Sequence, residues 1–297
     1  VTEKKIVLKY HTDSAGQAIK NVTALYTHHG PVMANRNGQI LSLRADNRLM
    51  DGLIQCWQRT KAAGLADFKK TLDLQGNISN NTVYADDAGN IAYWHGNRIP
   101  KRDNKFDWSI AVDGTTKETE WNGLHPINEI VQSINPANGW LQNCNSTPYT
   151  VAGKNSPLKQ NYPEYMAPDG ENFRGINAVR VLEEEKKYNI DKVIKAGYDT
   201  RLTAFEILVP PLIKAFEKNI GLNDSLYSSL KEVMDTLKKW DFRSGETSVA
   251  TTIAIEWGEI IMPGIHSIKM PAGENNTVSK AIAFSNTASA NDLLLPL

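Results

Sequence analysis

Asn81-Thr82-Val83-Tyr84-Ala85-Asp86-Asp87-Ala88-Gly89-Asn90-Ile91-Ala92-Tyr93-Trp94 has the signature of a β-hairpin. Two β-prone runs flank Asp-Asp-Ala-Gly-Asn, whose residues accept the backbone angles of a tight turn. Arg98-Ile99-Pro100-Lys101-Arg102 extends the hairpin, and 103–123 is a polar, charged loop region. Upstream, residues 5–10 and 21–26 alternate and are rich in Val, Ile and Tyr, which predicts strands. Thr27-His28-His29-Gly30-Pro31-Val32 reads as a tight corner, and 40–43 as a further strand. Between that strand and the hairpin the period changes. Leu49, Leu53, Ile54 and Trp57 share one face of a helix over 47–58, and Leu65, Phe68 and Leu72 do so over 65–72.

Downstream the chain turns helical from about Asn172. Ile176, Val179 and Leu182 keep helical spacing, and so do Phe205, Leu208, Leu212 and Phe216, where Pro210-Pro211 predicts a kink or a break. Leu226, Leu230, Val233, Leu237 and Trp240 follow an Asn223/Asp224 cap. Residues 247–261 form another apolar segment, read as helical, whereas 264–297 carries no assignment. Strands first and helices afterwards define an α+β class, with a β-rich part over 1–171 and a mainly helical part over 172–297.

Lys plus Arg equals Asp plus Glu at 33 each, so no long-range field draws the chain to nucleic acid or to an anionic membrane. No apolar run reaches the length of a membrane span. Cys56 and Cys144 are too few for a disulfide framework or a zinc site, and spacing leaves open whether they pair. The chain starts at Val1 with no signal peptide and stops in Leu293-Leu294-Leu295-Pro296-Leu297; both ends read as cut from something longer.

Chemistry concentrates in Ile134-Asn135-Pro136-Ala137-Asn138-Gly139-Trp140-Leu141-Gln142-Asn143-Cys144-Asn145-Ser146-Thr147-Pro148. Turn formers lead into Trp140 and Leu141, read as a short strand. Asn143 and Asn145, two residues apart, would then project from one face. An amide N–H fixed at a strand end can donate to the oxyanion of acyl transfer. The plainer readings are a polar turn or a glycosylation acceptor at Asn145-Ser146-Thr147. His28 and His29, adjacent on a strand, would point to opposite faces, so no shared metal is expected there. No Gly-x-Ser-x-Gly elbow or P-loop occurs, and Asp86-Asp87 reads as turn chemistry. Arg174 precedes a helix with a solvated face at 183–187 and reads as a cap, an ion pair or an active-site cation.

The order of motifs adds more. Thr27-His28-His29-Gly30-Pro31-Val32 is followed by the hairpin from Tyr84 to Arg102 and then by Asn135-Pro136-x-x-Gly139-Trp140-Leu141-x-Asn143-x-Asn145-Ser146-x-Pro148. Arg174-x-x-x-x-x-Arg180-x-Leu182, Trp240-Asp241 and Ser248 complete the series. This succession resembles the penicillin acylase family of N-terminal-nucleophile (Ntn) amidohydrolases, from about Val1 to Ile261. The resemblance implies part of an αββα Ntn-hydrolase fold and hydrolysis of an N-acyl amide. In that family the nucleophile is a serine exposed by self-cleavage, with its own α-amino group as base.

The resemblance places Asn145 as the oxyanion-hole amide, Arg174 as the arginine near the nucleophile, and Asn143 as a neighbouring structural amide. Cys144 stands where relatives often carry an aromatic residue, and Cys144 and Ser146 would line the acyl pocket with Asn143. Val1 cannot be the nucleophile, so the piece is expected to need a missing N-terminal segment of the same precursor and to be inactive alone. Its sheet would then keep an edge open to dimerisation or strand addition. No cofactor is required. A structural Ca²⁺ is implied for the full-length protein, with Asp107 and Glu164 as local candidates, and an empty site is expected in this piece. The implied location is periplasmic or secreted. The alternative from another class is a non-catalytic binding module on the same scaffold.

Overall fold

A computed structural model describes residues 1–13, 16–45, 49–77, 79–271 and 273–297. The chain sorts into two compact units, one of Val1–Asn80 with Gly96–Glu129 and one of Asn81–His95 with Ile130–Leu297.

The first unit is led by an antiparallel sheet of β1 (Thr2–Thr12), β2 (Gly16–Thr27), β3 (Gly30–Arg36) and β4 (Gln39–Ser42), side by side in sequence order. The strands expected over 5–10, 21–26 and 40–43 fall in β1, β2 and β4. The third strand was not anticipated, although Asn37-Gly38 announces the turn behind it. Both residues are left-handed, at φ 53° and 80°, the angles a two-residue hairpin turn requires. In the corner before β3 only glycine fits at position 30, since a Cβ there would lie 2.1 Å from the Leu43 carbonyl oxygen.

Two helices follow, α1 (Met50–Arg59) and α2 (Leu65–Leu72). Asn47, where the first was expected to begin, lies outside the described residues. The apolar face of α1 points away from its own unit: Leu53 is 70% and Trp57 64% exposed. What anchors α1 is the fully buried Gln55, whose side-chain oxygen accepts from the N–H groups of Gly76 (2.7 Å) and Asn77 (3.1 Å). Helical spacing gave the helix but not the side that would be covered.

The second unit opens with the hairpin β5 (Thr82–Ala85) and β6 (Ile91–Trp94), closed by Asp86, whose Oδ1 accepts from the Asn90 N–H at 2.8 Å. A third strand, β7 (Gln132–Ile134), pairs antiparallel with β6. Beyond come α3 (Phe173–Glu184), α4 (Ile190–Gly197), α5 (Thr203–Asn219), α6 (Ser225–Lys238), α7 (Val249–Ser267), α8 (Thr277–Thr287) and α9 (Ala290–Leu294). The α+β class holds.

Two expectations change. Helix α5 runs unbroken through Pro210-Pro211, because Val209 and Leu212, both fully buried, hold that turn in the core. Packing there outweighs the backbone hydrogen bonds that two prolines remove. The unassigned tail is core material: Ile265, Ala281, Phe284 and Leu293 pack with Leu212, Met234, Leu237 and Trp257. The Trp257 indole N–H donates to the Leu293 carbonyl at 2.9 Å. Among the described residues no helix is long and apolar enough to cross a membrane.

Candidate active site

The stretch around Asn145 is not a strand. Trp140 to Ser146 has no ladder partner of the β type, so its polar backbone is satisfied piecewise. The Gln142 N–H donates to the Val151 carbonyl (2.9 Å), Asn138 Nδ2 to the Ala152 carbonyl (3.1 Å), and the Thr147 N–H to the Gly170 carbonyl (3.0 Å). Asn145 sits at φ 53°, a left-handed bend that asparagine tolerates. The shared-face argument for Asn143 and Asn145 therefore fails, and a different device places them. Asn143 Oδ1 accepts from the Asn145 N–H and from Asn81 Nδ2, both at 3.3 Å, tying the bend to the segment that leads into β5.

The residue that organises the bend is Asn172. Its Oδ1 accepts from the Gly175 N–H at 2.9 Å, which caps α3, while its Nδ2 donates to the carbonyls of Cys144 and Asn145, each at 3.1 Å. One side chain thus starts the helix and pins the loop to it. Two residues into α3, the Arg174 guanidinium reaches Asn145 Oδ1 at 3.4 Å. A guanidinium only donates, so the oxygen of the amide must face it and the NH₂ faces away. Among the described residues that NH₂ has no acceptor. Asn145 and Arg174 are both exposed.

Ser146 points inward. It is 3% exposed, and its hydroxyl oxygen accepts from Gln142 Nε2 at 3.3 Å beneath Gly175. A Cβ on Gly175 would lie 2.5 Å from Ser146 Oγ and 2.7 Å from its Cβ, so glycine is what lets α3 approach. Cys144 is half-buried and, like Cys56, a free thiol. Burial pushes its thiol up and Glu171 adds to the rise, with Arg174 pulling the other way. It is therefore a poor thiolate nucleophile at neutral pH.

Helix α3 is fixed in turn from behind. Arg180 Nη2 meets Glu206 Oε2 on α5 at 2.6 Å. Asn177 Nδ2 donates to Asp199 Oδ1 at 2.9 Å, and Arg243 Nη1 binds the other oxygen of Asp199 at 2.7 Å. From the sheet side, buried His95 joins Asp169 through Nε2 (3.0 Å) and the Tyr93 hydroxyl through Nδ1 (2.9 Å). The His95 bond holds the Asp169 carboxyl below the usual carboxylate range. Gly170, next along, lies so close to Asn276, the cap of α8, that a Cβ would be 2.3 Å from it. Hairpin, loop and C-terminal helix thus converge on the segment leading to Asn172.

Asn172, His95 and Asp169 were not read as site residues from sequence, although His95 stands within the hairpin motif and Asn172 where the chain turns helical. The Asn172-x-x-Gly175 spacing is a helix-cap signal and was available; the other two meet only in three dimensions. Asp107 is occupied locally, accepting from the N–H and hydroxyl of Ser109, and Glu164 is exposed in a short 3₁₀ turn.

The penicillin amidase family model matches residues 2–293. The chain belongs to the penicillin amidase family. The match extends past Ile261 into the helices that close the core, so the family signal covers more of the chain than the motif series does. Among curated relatives, the chain is 26% identical over 244 residues to penicillin acylase 2 proenzyme of Pseudomonas sp. (strain SE83), spanning 80% of this chain and 29% of that one. It is 25% identical over 237 residues to penicillin G acylase of Escherichia coli, spanning 76% and 26%. A solved thermostable penicillin G acylase from Alcaligenes faecalis matches with TM-score 0.65 and 22% identity over 89% of this chain and 47% of that one. The chain thus spans under a third of the length of these curated members and about half of the solved one.

Proposed function

We propose that this chain supplies the oxyanion-stabilising part of an N-acyl amide hydrolase site, with Asn145 as donor and Arg174 as the residue that positions it. The observation carrying this reading is the Arg174 contact to Asn145 Oδ1, which leaves the amide NH₂ facing outward. When a nucleophile attacks the amide carbonyl, the π pair moves onto oxygen. A donor already aimed at that oxygen needs no reorganisation as the charge develops. A cation on Oδ1 also polarises the amide and strengthens its N–H as a donor.

In this reading Asn143 and Ser146 shape the bend, Cys144 contributes to the acyl pocket, and the scaffold is part of an αββα Ntn-hydrolase. The nucleophile is the freed N-terminal serine of the mature enzyme. We assign it to the portion of the precursor that the relatives have and residues 1–297 do not span, so this chain alone is inactive. Two facts support that assignment: the small share of each relative covered, and a relative described as a proenzyme. The exposure of Asn145 and Arg174 fits it as well, since such a donor is strongest where water is excluded. The substrate is a small N-acyl molecule, no cofactor is required, and the location is periplasmic or secreted.

The test is amine release from a chromogenic phenylacetyl or long-chain acyl amide by the full-length protein. Asn145→Ala should lower kcat by about 10²–10³ with the fold intact by circular dichroism. Undiminished turnover would overturn the assignment.

A further inference from the structure

The two-residue turn between β2 and β3 brings His28 and His29 to one side, contrary to the expectation from strand alternation. Their ring centroids are 3.7 Å apart. Both Nε2 atoms approach the same carboxylate oxygen, Glu120 Oε1, at 2.8 Å and 3.8 Å. All three atoms lie within 4.8 Å of one another.

We propose that His28, His29 and Glu120 bind a divalent transition-metal ion, with Zn²⁺ as the preferred occupant. Zinc–nitrogen and zinc–oxygen bonds of about 2.0–2.2 Å put tetrahedral ligand atoms about 3.4 Å apart. The two observed N···O separations lie on either side of that value, so modest side-chain rotation completes the set. Neutral imidazole keeps its proton on Nδ1 and offers the Nε2 lone pair; the hydrogen bonds that now join His28 Nε2 to Glu120 and His29 Nε2 to the Gly114 carbonyl are replaced by bonds to the ion.

The surroundings fit a ligand set. Glu120 Oε2 is held by Arg44 Nη1 at 2.9 Å, and the Arg44 guanidinium lies over the Trp121 ring at 4.3 Å, which fixes the carboxylate plane as outer-shell partners do. The Gly114 carbonyl, 2.8 Å from His29 Nε2, is a further oxygen beside the cluster. A Cβ on Gly114 would lie 2.8 Å from that nitrogen, so glycine keeps the ring in place. Two imidazoles and one carboxylate select Zn²⁺, Ni²⁺ or Cu²⁺ over Ca²⁺, which takes oxygen ligands. The ion would staple the β2–β3 turn to the loop through 114–120, two segments far apart in sequence.

The test uses the untagged chain, stripped with a chelator and titrated with Zn²⁺ by calorimetry, with Trp121 fluorescence in parallel. One ion per chain is expected. His28→Ala removes an exposed side chain (66%) that the fold does not need, and should weaken binding roughly tenfold or more. Glu120→Gln should do the same, while Cys56→Ser and His11→Ala should not. No binding by the parent chain, or His28→Ala and Glu120→Gln titrating like it, would overturn the proposal, as would equal affinity for Ca²⁺.

Discussion

Arg174 donates to the side-chain oxygen of Asn145 at 3.4 Å, across 29 residues of sequence, because one intervening side chain, Asn172, both caps the helix of the first and pins the carbonyl of the second. Arginine, cap and bend therefore form one mechanical unit. If Arg174 acts only by aiming and polarising the Asn145 amide, removing it after that amide is gone should cost little more. Arg174→Ala alone is expected to lower kcat of the full-length enzyme by about tenfold or more, and the Asn145→Ala/Arg174→Ala double variant to match Asn145→Ala alone. Strict additivity of the two losses in steady-state assays would separate the residues.

Asn172→Ala should act on stability and on turnover together. Loss of an N-cap asparagine costs about 1 kcal/mol, and two carbonyl contacts go with it. A drop of about 1–2 kcal/mol in urea unfolding is expected, with a kcat loss exceeding that of a cap removed elsewhere, such as Asn189→Ala on α4. Equal effects from the two caps would show that Asn172 only starts its helix.

Gly175→Ala should destabilise by about 1–3 kcal/mol through overpacking, since the new methyl meets both Oγ and Cβ of Ser146. Adding Ser146→Gly removes both of those atoms, and thermal unfolding of the double variant should recover part of the loss. A double variant no more stable than Gly175→Ala would place the clash elsewhere.

Acid sensitivity follows from Asp199. Burial alone would raise its carboxyl, but bonds from Asn177, Arg243 and the Arg201 N–H outweigh that and bring it from 3.8 to about 2. A folded-state value below the unfolded one stabilises fully above the unfolded value and loses that contribution as pH falls through the folded one. About 2 kcal/mol should therefore disappear between pH 3.8 and about 2. In Asp199→Asn, stability measured over that window should fall less steeply. An unchanged slope would assign the acid limb to other carboxylates.

The tail gives a sharper test of the core. Leu293→Ala, at a residue only 3% exposed, should cost about 2–5 kcal/mol despite lying close to the end of the chain. A change within experimental error would show that α9 is dispensable.

Much of this was legible before any coordinates. The Asn81 to Trp94 hairpin, the Asp224-capped helix and the residue pair Asn145 and Arg174 follow from turn chemistry, helical period and motif order. Trp140-Leu141 misled because two apolar residues after a turn satisfy a strand pattern without any partner strand to pair with. The tail stayed unreadable because Ile265, at the end of the long α7, and Ala281, Phe284 and Leu293, on the short α8 and α9, are too sparse for a period to emerge. His95 and Asp169 lie 74 positions apart, and nothing local to either announces the other.

The alternation of the two compact units along the chain bears on synthesis. Residues 81–95 leave the ribosome before 96–129, yet belong with what comes after 130. The β5–β6 hairpin must therefore wait, with one long edge bare, until β7 emerges. Until then its Tyr93 and Trp94, fully covered at the end, are open to chaperones and to the wrong neighbours. Slow translation just after codon 95 would prolong that vulnerable interval, whereas a pause after 134 would let the sheet close first.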